Sequence, residues 1–147
     1  MEVSNGIEKN GEQIKLNASE VMYKDENEIT RMLPFGIIVE SGENENGSYV
    51  KFGNGWMLCV SVVTLTYTST VTIDYNWRYP ASFIAKPFAF GNSAESSGVS
   101  HRGLSPYFIS DSISNTRVLI SRIQGTTDFA EADTRKVNVF AIGKWKE

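Results

Sequence analysis

The chain has 147 residues, with 14 Lys+Arg against 17 Asp+Glu and a net charge of −3. That length suits one domain with a small appendage, and the balance leaves no cationic footprint for nucleic acid or an anionic membrane. No apolar run approaches a membrane span, and the single cysteine, Cys59, excludes an intrachain disulfide framework.

The first 36 residues are polar. Asn5-Gly6 and Asn10-Gly11 read as turns, and Ile14 and Leu16, alternating with polar neighbours, as a short extended piece. Asp25 can cap a short helix with Glu28 at its third position, Ile29, Met32 and Leu33 at helical spacing, and Pro34 ending it. Such a helix is too short to stand alone. It can be the neck of an assembly in which identical copies pack around an axis, or a frayed linker lying on the main domain. The start, Met1-Glu2-Val3-Ser4-Asn5, lacks the order of a signal peptide, so synthesis in a cytoplasm is expected. The turn-rich start also suits a piece of a longer protein.

From residue 37 the apolar period changes to two. Strands are expected at 36–40, 49–52, 57–67, 70–77, 88–92, 107–110, 117–123 and 136–144, separated by Gly, Asn, Ser and Pro. Asn54-Gly55 reads as the turn of a hairpin whose first arm carries Tyr49 to Phe52 and whose second starts at Trp56. Many short strands with such turns indicate an all-β, antiparallel β-sandwich or barrel. Phe83, Phe88, Phe90, Phe140 and Ile142 read as core, Trp145 as closing the sheet edge, and Phe129 as a surface aromatic. The run 57–67 is apolar at odd positions (Met57, Cys59, Val63, Leu65) and at even ones (Leu58, Val60, Val62). A strand with one face in water should alternate, so its outer face should also be covered, by a neighbouring subunit or by the domain's own loops. Cys59 within this run reads as a buried, unreactive thiol.

Little points to catalysis. His101 is the only histidine, and no phosphate loop, metal-ligand spacing or nucleophile elbow occurs. Asp111, Asp128, Glu131 and Asp133 lie in loop-like stretches and can supply a carboxylate pair for glycoside cleavage. Neither cofactor nor metal is implied. For binding, residues 92–107 are the most loop-like part, and they carry Asn92, His101, Arg102 and Tyr107. Flat apolar faces and planar polar groups are what sugar recognition needs. The bland reading of the same segment is a solvated surface loop. Trp56, directly after the hairpin turn, is either a contact aromatic at an exposed tip or a lid on the end of the core.

Two stretches carry a resemblance. Asn46-Gly47-Ser48-Tyr49-Val50-Lys51-Phe52-Gly53-Asn54-Gly55-Trp56-Met57-Leu58-Cys59, followed by Trp77-Arg78-Tyr79-Pro80-Ala81-Ser82-Phe83-Ile84-Ala85-Lys86-Pro87, resembles the carboxy-terminal receptor-binding domain of bacteriophage and prophage tail fibres. The shared patterns are N-G-x-x-x-K-F-x-x-G and W-x-x-P-x-x-F-x-x-x-P, and the resemblance spans about residues 40–90. Trp56 departs from it, since that position is more often small and polar. The resemblance implies a neck at 1–36 and a β-sandwich head at 37–147, assembled as a homotrimer much as in small H-type lectins. It implies a structural role for Trp77, Pro80 and Phe83. The implied function is attachment of a virion's tail tip, outside the cell, to a bacterial surface saccharide or teichoic-acid-like polymer. Other tail or baseplate proteins would be its partners, without nucleic acid, membrane insertion or catalysis. A purely structural trimerisation tip and a glycan-cleaving or deacylating module are the alternatives.

Overall fold

The computed structural model describes residues 7–9, 12–14, 22–24, 30–32, 37–96, 104–110 and 112–147. Twelve strands follow in order: β1 Ile7–Lys9, β2 Glu12–Ile14, β3 Met22–Lys24, β4 Thr30–Met32, β5 Ile38–Asn44, β6 Gly47–Phe52, β7 Trp56–Ser69, β8 Thr72–Arg78, β9 Phe88–Ser96, β10 Tyr107–Ile109, β11 Asn115–Ser121 and β12 Thr134–Lys144. The described residues are all-β as expected, and each of the eight strands anticipated after residue 36 is present.

The amino-terminal part holds two antiparallel pairs, β1 with β2 and β3 with β4. Ile14 lies in β2, in keeping with an extended piece there. The expected helix is corrected in part: Thr30–Met32 are a strand opposite Met22–Lys24, so Met32 is not on a helix face. Asp25, Glu28, Ile29, Leu33 and Pro34 lie outside the described residues. Pairing with 22–24 supplies the backbone partners that so short a helix would lack.

The remaining eight strands form one antiparallel sheet in the order β10-β11-β8-β7-β12-β9, with β6 joined to β7 and β5 to β6. Along one edge β7 pairs with β12 from Trp56 to Thr66. Along the other it pairs with β6 in its first half and with β8 only from Thr66 onward. The two outer strands approach each other. A Cβ on Gly91 of β9 would lie 2.9 Å from the Phe108 ring of β10, and the Ser110 hydroxyl donates to the Pro87 carbonyl at 3.2 Å. The sheet thus curls over one core, an architecture in keeping with the expected sandwich.

The core follows the period of two. Met57, Cys59, Val63 and Leu65 of β7 meet Ile73 and Trp77 of β8, Val118 and Ile120 of β11, and Val137, Val139 and Ala141 of β12. Tyr79 stands edge-on between Trp77 and Phe83, with ring centroids 5.2 and 5.1 Å apart. Such edge-to-face contacts add about 0.5–1.5 kcal/mol each beyond burial. Phe129 is buried, not superficial, because its N–H bonds to the Thr70 carbonyl and folds the 122–133 segment back onto the core. Phe88 and Phe90 are also corrected. They are 73% and 50% exposed, and β9 turns Ala89 and Gly91 to the interior instead; Phe140 and Ile142, also expected in the core, are half-buried on the same outer face.

The β6–β7 hairpin closes with three residues, Gly53-Asn54-Gly55, not two. The Gly55 N–H bonds to the Phe52 carbonyl at 3.0 Å, and Gly55 has φ +89°. This is the pattern of a tight turn followed by a left-handed residue. Trp145 closes the same end, its main-chain N–H on the Gly55 carbonyl and its indole N–H on that of Phe52.

Candidate functional site

The sequence-selected residues fall in three places. Asn92 is exposed on β9, and Asn138 of β12 donates its amide to the Asn92 Oδ1 at 3.3 Å. Tyr107 opens β10 and is 64% exposed, a free aromatic face at the foot of the 92–107 segment. His101 and Arg102 lie outside the described residues. What holds the returning end of this segment is Arg135, almost wholly buried, whose Nη1 donates to the Leu104 carbonyl at 2.9 Å. Burial pushes its guanidinium below its ordinary range. Arg135 was not singled out from sequence, because a lone Arg at the head of a strand carries no pattern.

Trp56 stands apart from these. It is paired with Lys144, whereas Asn92 shares a cross-strand row with Asn138 and Val62. Six residues of β7 separate the two rows, about 20 Å at ~3.3 Å per residue. Trp56 is half-buried, the Lys144 Nζ stands 4.9 Å from its ring centroid, and the same Nζ donates to the Asn54 carbonyl. It belongs to the hairpin end rather than to the Asn92 row.

The outer face of β9, β12 and β7 is apolar. Phe90 stacks on Phe140 at 5.5 Å, and Phe140 is opposite Val60. In the next row Phe88, Ile142, Leu58 and Val50 line up, and Val62, 60% exposed, begins the row beyond. No described residue of the chain covers this face.

Three of the described carboxylates are engaged structurally. Asp74 pairs with Arg117, Asp128 with Arg122 at 2.8 Å, and Asp133 accepts the Ala130 N–H. Asp111 lies outside the described residues, and Glu131 is exposed. Among the described residues, no group of three His, Cys, Asp or Glu is placed to hold a metal ion. At the β5–β6 hairpin, Lys51 and the Tyr49 hydroxyl both bond to Glu40. The Lys51 hydrogen bond holds the Glu40 carboxyl below its usual range, and the same carboxylate raises the Tyr49 phenol. Cys59 is fully buried, and desolvation pushes its thiol up to about 12.

No family model matches the chain, and none of the curated proteins matches it. Among solved structures, the chain is similar to a carboxy-terminal fragment of the R1 pyocin fibre of P. aeruginosa, with 14% identity and a TM-score of 0.47. That alignment covers 71% of this chain and 28% of the fragment. It is similar also to an N-truncated R1-type pyocin tail fibre, with 15% identity and a TM-score of 0.49, over 71% of this chain and 86% of the other.

Proposed function

We propose that this chain is the tip domain of a bacteriophage or prophage tail fibre, works outside the cell as a homotrimer, and attaches to a bacterial surface saccharide or cell-wall polymer without catalysis. One observation carries the reading. The two stretches that bear the sequence resemblance form a single unit: the indole N–H of Trp77 bonds to the Asn46 carbonyl, the Asn44 amide bonds to the Pro80 carbonyl, and Phe83 packs beneath. The motif residues therefore frame the domain and leave its loops free for recognition.

The apolar outer face supports the trimer. Phe88, Phe90 and Val62 lie exposed beside half-buried Leu58, Val60, Phe140 and Ile142. A contiguous patch of this kind on one sheet face is what a partner copy covers. Burial and a raised pKa keep the Cys59 thiol protonated at neutral pH, so it does not serve as a nucleophile. The 92–107 segment, with Asn92, Arg102 and Tyr107, is the proposed contact region. Several copies at fixed spacing turn modest single-site affinity into firm attachment.

The test is a cell-binding assay with fluorescently labelled protein across a panel of bacteria, competed by surface polysaccharide extracted from the bound strains. Reducing-sugar release is followed in parallel. Saturable binding abolished by the polysaccharide, without sugar release, is expected. Release of reducing ends would turn the reading to a glycan-cleaving module, and absence of binding to every strain would leave only a structural tip.

A further inference from the structure

Strand β7 changes partner along one edge and leaves a gap. Ser48 of β6 pairs with Val60, and β8 resumes the pairing only at Thr66, opposite Asp74. Between these points Ser61–Leu65 have β12 on one side and, among the described residues, no strand on the other. The Val60 carbonyl is turned toward β6, since a Cβ on Gly47 would lie 2.2 Å from it. Main-chain groups alternate sides along an extended strand, so Val62 and Thr64 turn their N–H and C=O groups into the gap. Main-chain groups left without a strand partner demand another one.

The gap holds a cavity of about 240 Å³ lined by Glu45, Asn46, Ser61, Thr64, Tyr75 and Trp77. At about 30 Å³ per water this is room for roughly eight. Tyr75 faces the same side as Ile73 and Trp77, yet it is 42% exposed while they are buried. The reason is that β8 has already parted from β7 at that level. The Trp77 indole N–H is committed to Asn46, so Trp77 forms a wall and not a donor.

We propose that this cleft binds one neutral pyranose residue of a surface glycan, a site that rests on the saccharide-binding reading above. A pyranose presents hydroxyls that both donate and accept, and a C–H face that packs on an aromatic ring. The cleft offers matching groups: main-chain donors and acceptors at Val62 and Thr64, with Ser61, Glu45 and the open Tyr75 ring in its lining. Among the described residues of the lining Glu45 alone is charged, so a phosphate or uronate would meet its repulsion and no counter-charge there. An extended peptide does not fit either, because the β6–β7 and β8–β7 ladders close both ends. Val62 shares its cross-strand row with Asn138 and Asn92, two strand spacings away or about 10 Å. A glycan leaving the cleft over β12 therefore passes Asn92.

The experiment is amide chemical-shift mapping on ¹⁵N-labelled full chain, titrated with methyl glycosides of glucose, galactose, mannose, rhamnose and N-acetylglucosamine, and separately with glucuronate and a Val/Thr heptapeptide. Saturable shifts at Glu45, Asn46, Val62 and Thr64 with a neutral glycoside are expected, weakened about tenfold or more in Tyr75→Ala, the scale of one lost stacking face. Shifts confined to residues 104–109 or to Trp56 overturn the cleft and leave the saccharide-binding reading standing. The same amides answering to glucuronate or the peptide instead overturns the ligand class. No shift with any glycoside overturns the proposal; the wider reading falls with it only if polysaccharide also fails to compete in the cell assay.

Discussion

The indole N–H of Trp77 donates to the carbonyl oxygen of Asn46 at 2.9 Å and so ties β8 to the β5–β6 turn across the gap in the sheet. The Asn44 amide crosses the other way, donating to the Pro80 carbonyl, also at 2.9 Å. The β6–β7 ladder anchors the hairpin on one side; no strand pairing joins β6 to β8, so these two bonds and the packing of the ring are what tie its turn to β8.

Trp77→Phe keeps an aromatic in the core but strands the Asn46 carbonyl. A loss of about 1–3 kcal/mol is expected, against about 3–5 kcal/mol for Trp77→Ala, which also opens a cavity. Urea denaturation measures both. A Phe variant as stable as the parent would show that the bond contributes nothing.

Two glycines with positive φ should separate by what surrounds them. Gly47→Ala drives a Cβ to 2.2 Å from the Val60 carbonyl at φ +127°, whereas Gly125→Ala at φ +87° meets nothing within 4 Å. Gly125→Ala should cost only the left-handed backbone penalty of about 1–2 kcal/mol, and Gly47→Ala clearly more. Equal melting temperatures for the two variants would refute the steric argument.

Cys59 should react with a thiol reagent only as fast as the protein unfolds. Its thiol is raised from the ordinary value of 9.0 to about 12 by burial. An acid whose folded pKa is raised stays protonated in the native state while the unfolded chain releases its proton. Its contribution is therefore fully present below about pH 9 and is lost as pH rises toward 12. Cys59→Ala removes this titration, so its stability should fall less between about pH 9 and 12 than the parent's, while Cys59→Ser should cost about 1–3 kcal/mol at neutral pH. Rapid native labelling would contradict the burial.

Light scattering at micromolar concentration should give three times the chain mass. Phe90→Glu, on the exposed face and stacked on Phe140, should yield folded monomers, because a charge in an apolar contact is desolvated without a partner. A monomeric parent protein would sink the trimer.

Tyr107→Ala and Arg102→Ala should each weaken cell attachment by about 1–3 kcal/mol per site, the scale of a lost anchor aromatic or charge-assisted hydrogen bond. Melting temperature should be unchanged, since Tyr107 stands largely free of the core. Parent-like attachment by both variants would move the contact region elsewhere.

Strand positions after residue 36 were legible because alternation and turn residues are local properties. Which face a strand turns inward was not. Phe88 and Phe90 share one parity and Ala89 and Gly91 the other, and apolarity favours the phenylalanines as core. The interior has room only for the small pair, since a Cβ on Gly91 would sit 2.9 Å from the Phe108 ring. Phe129 misled in the opposite sense: a lone aromatic among polar residues is drawn in by one backbone bond to Thr70. The cleft left no trace in composition or spacing, because it arises from β7 exchanging β6 for β8. Partner exchange is a property of three strands together and of none alone.

The place of β12 between β7 and β9 has a consequence for how the protein is made. Trp56 waits for Lys144, and at translation rates of about 5–20 residues per second that wait lasts roughly 4–18 s. Until then the nascent chain carries β7 with one edge bare and β9 without the strand it joins. The apolar outer face is itself incomplete without Phe140 and Ile142. Chains not yet translated through residue 144 thus lack the complete face, and any association through it waits for β12.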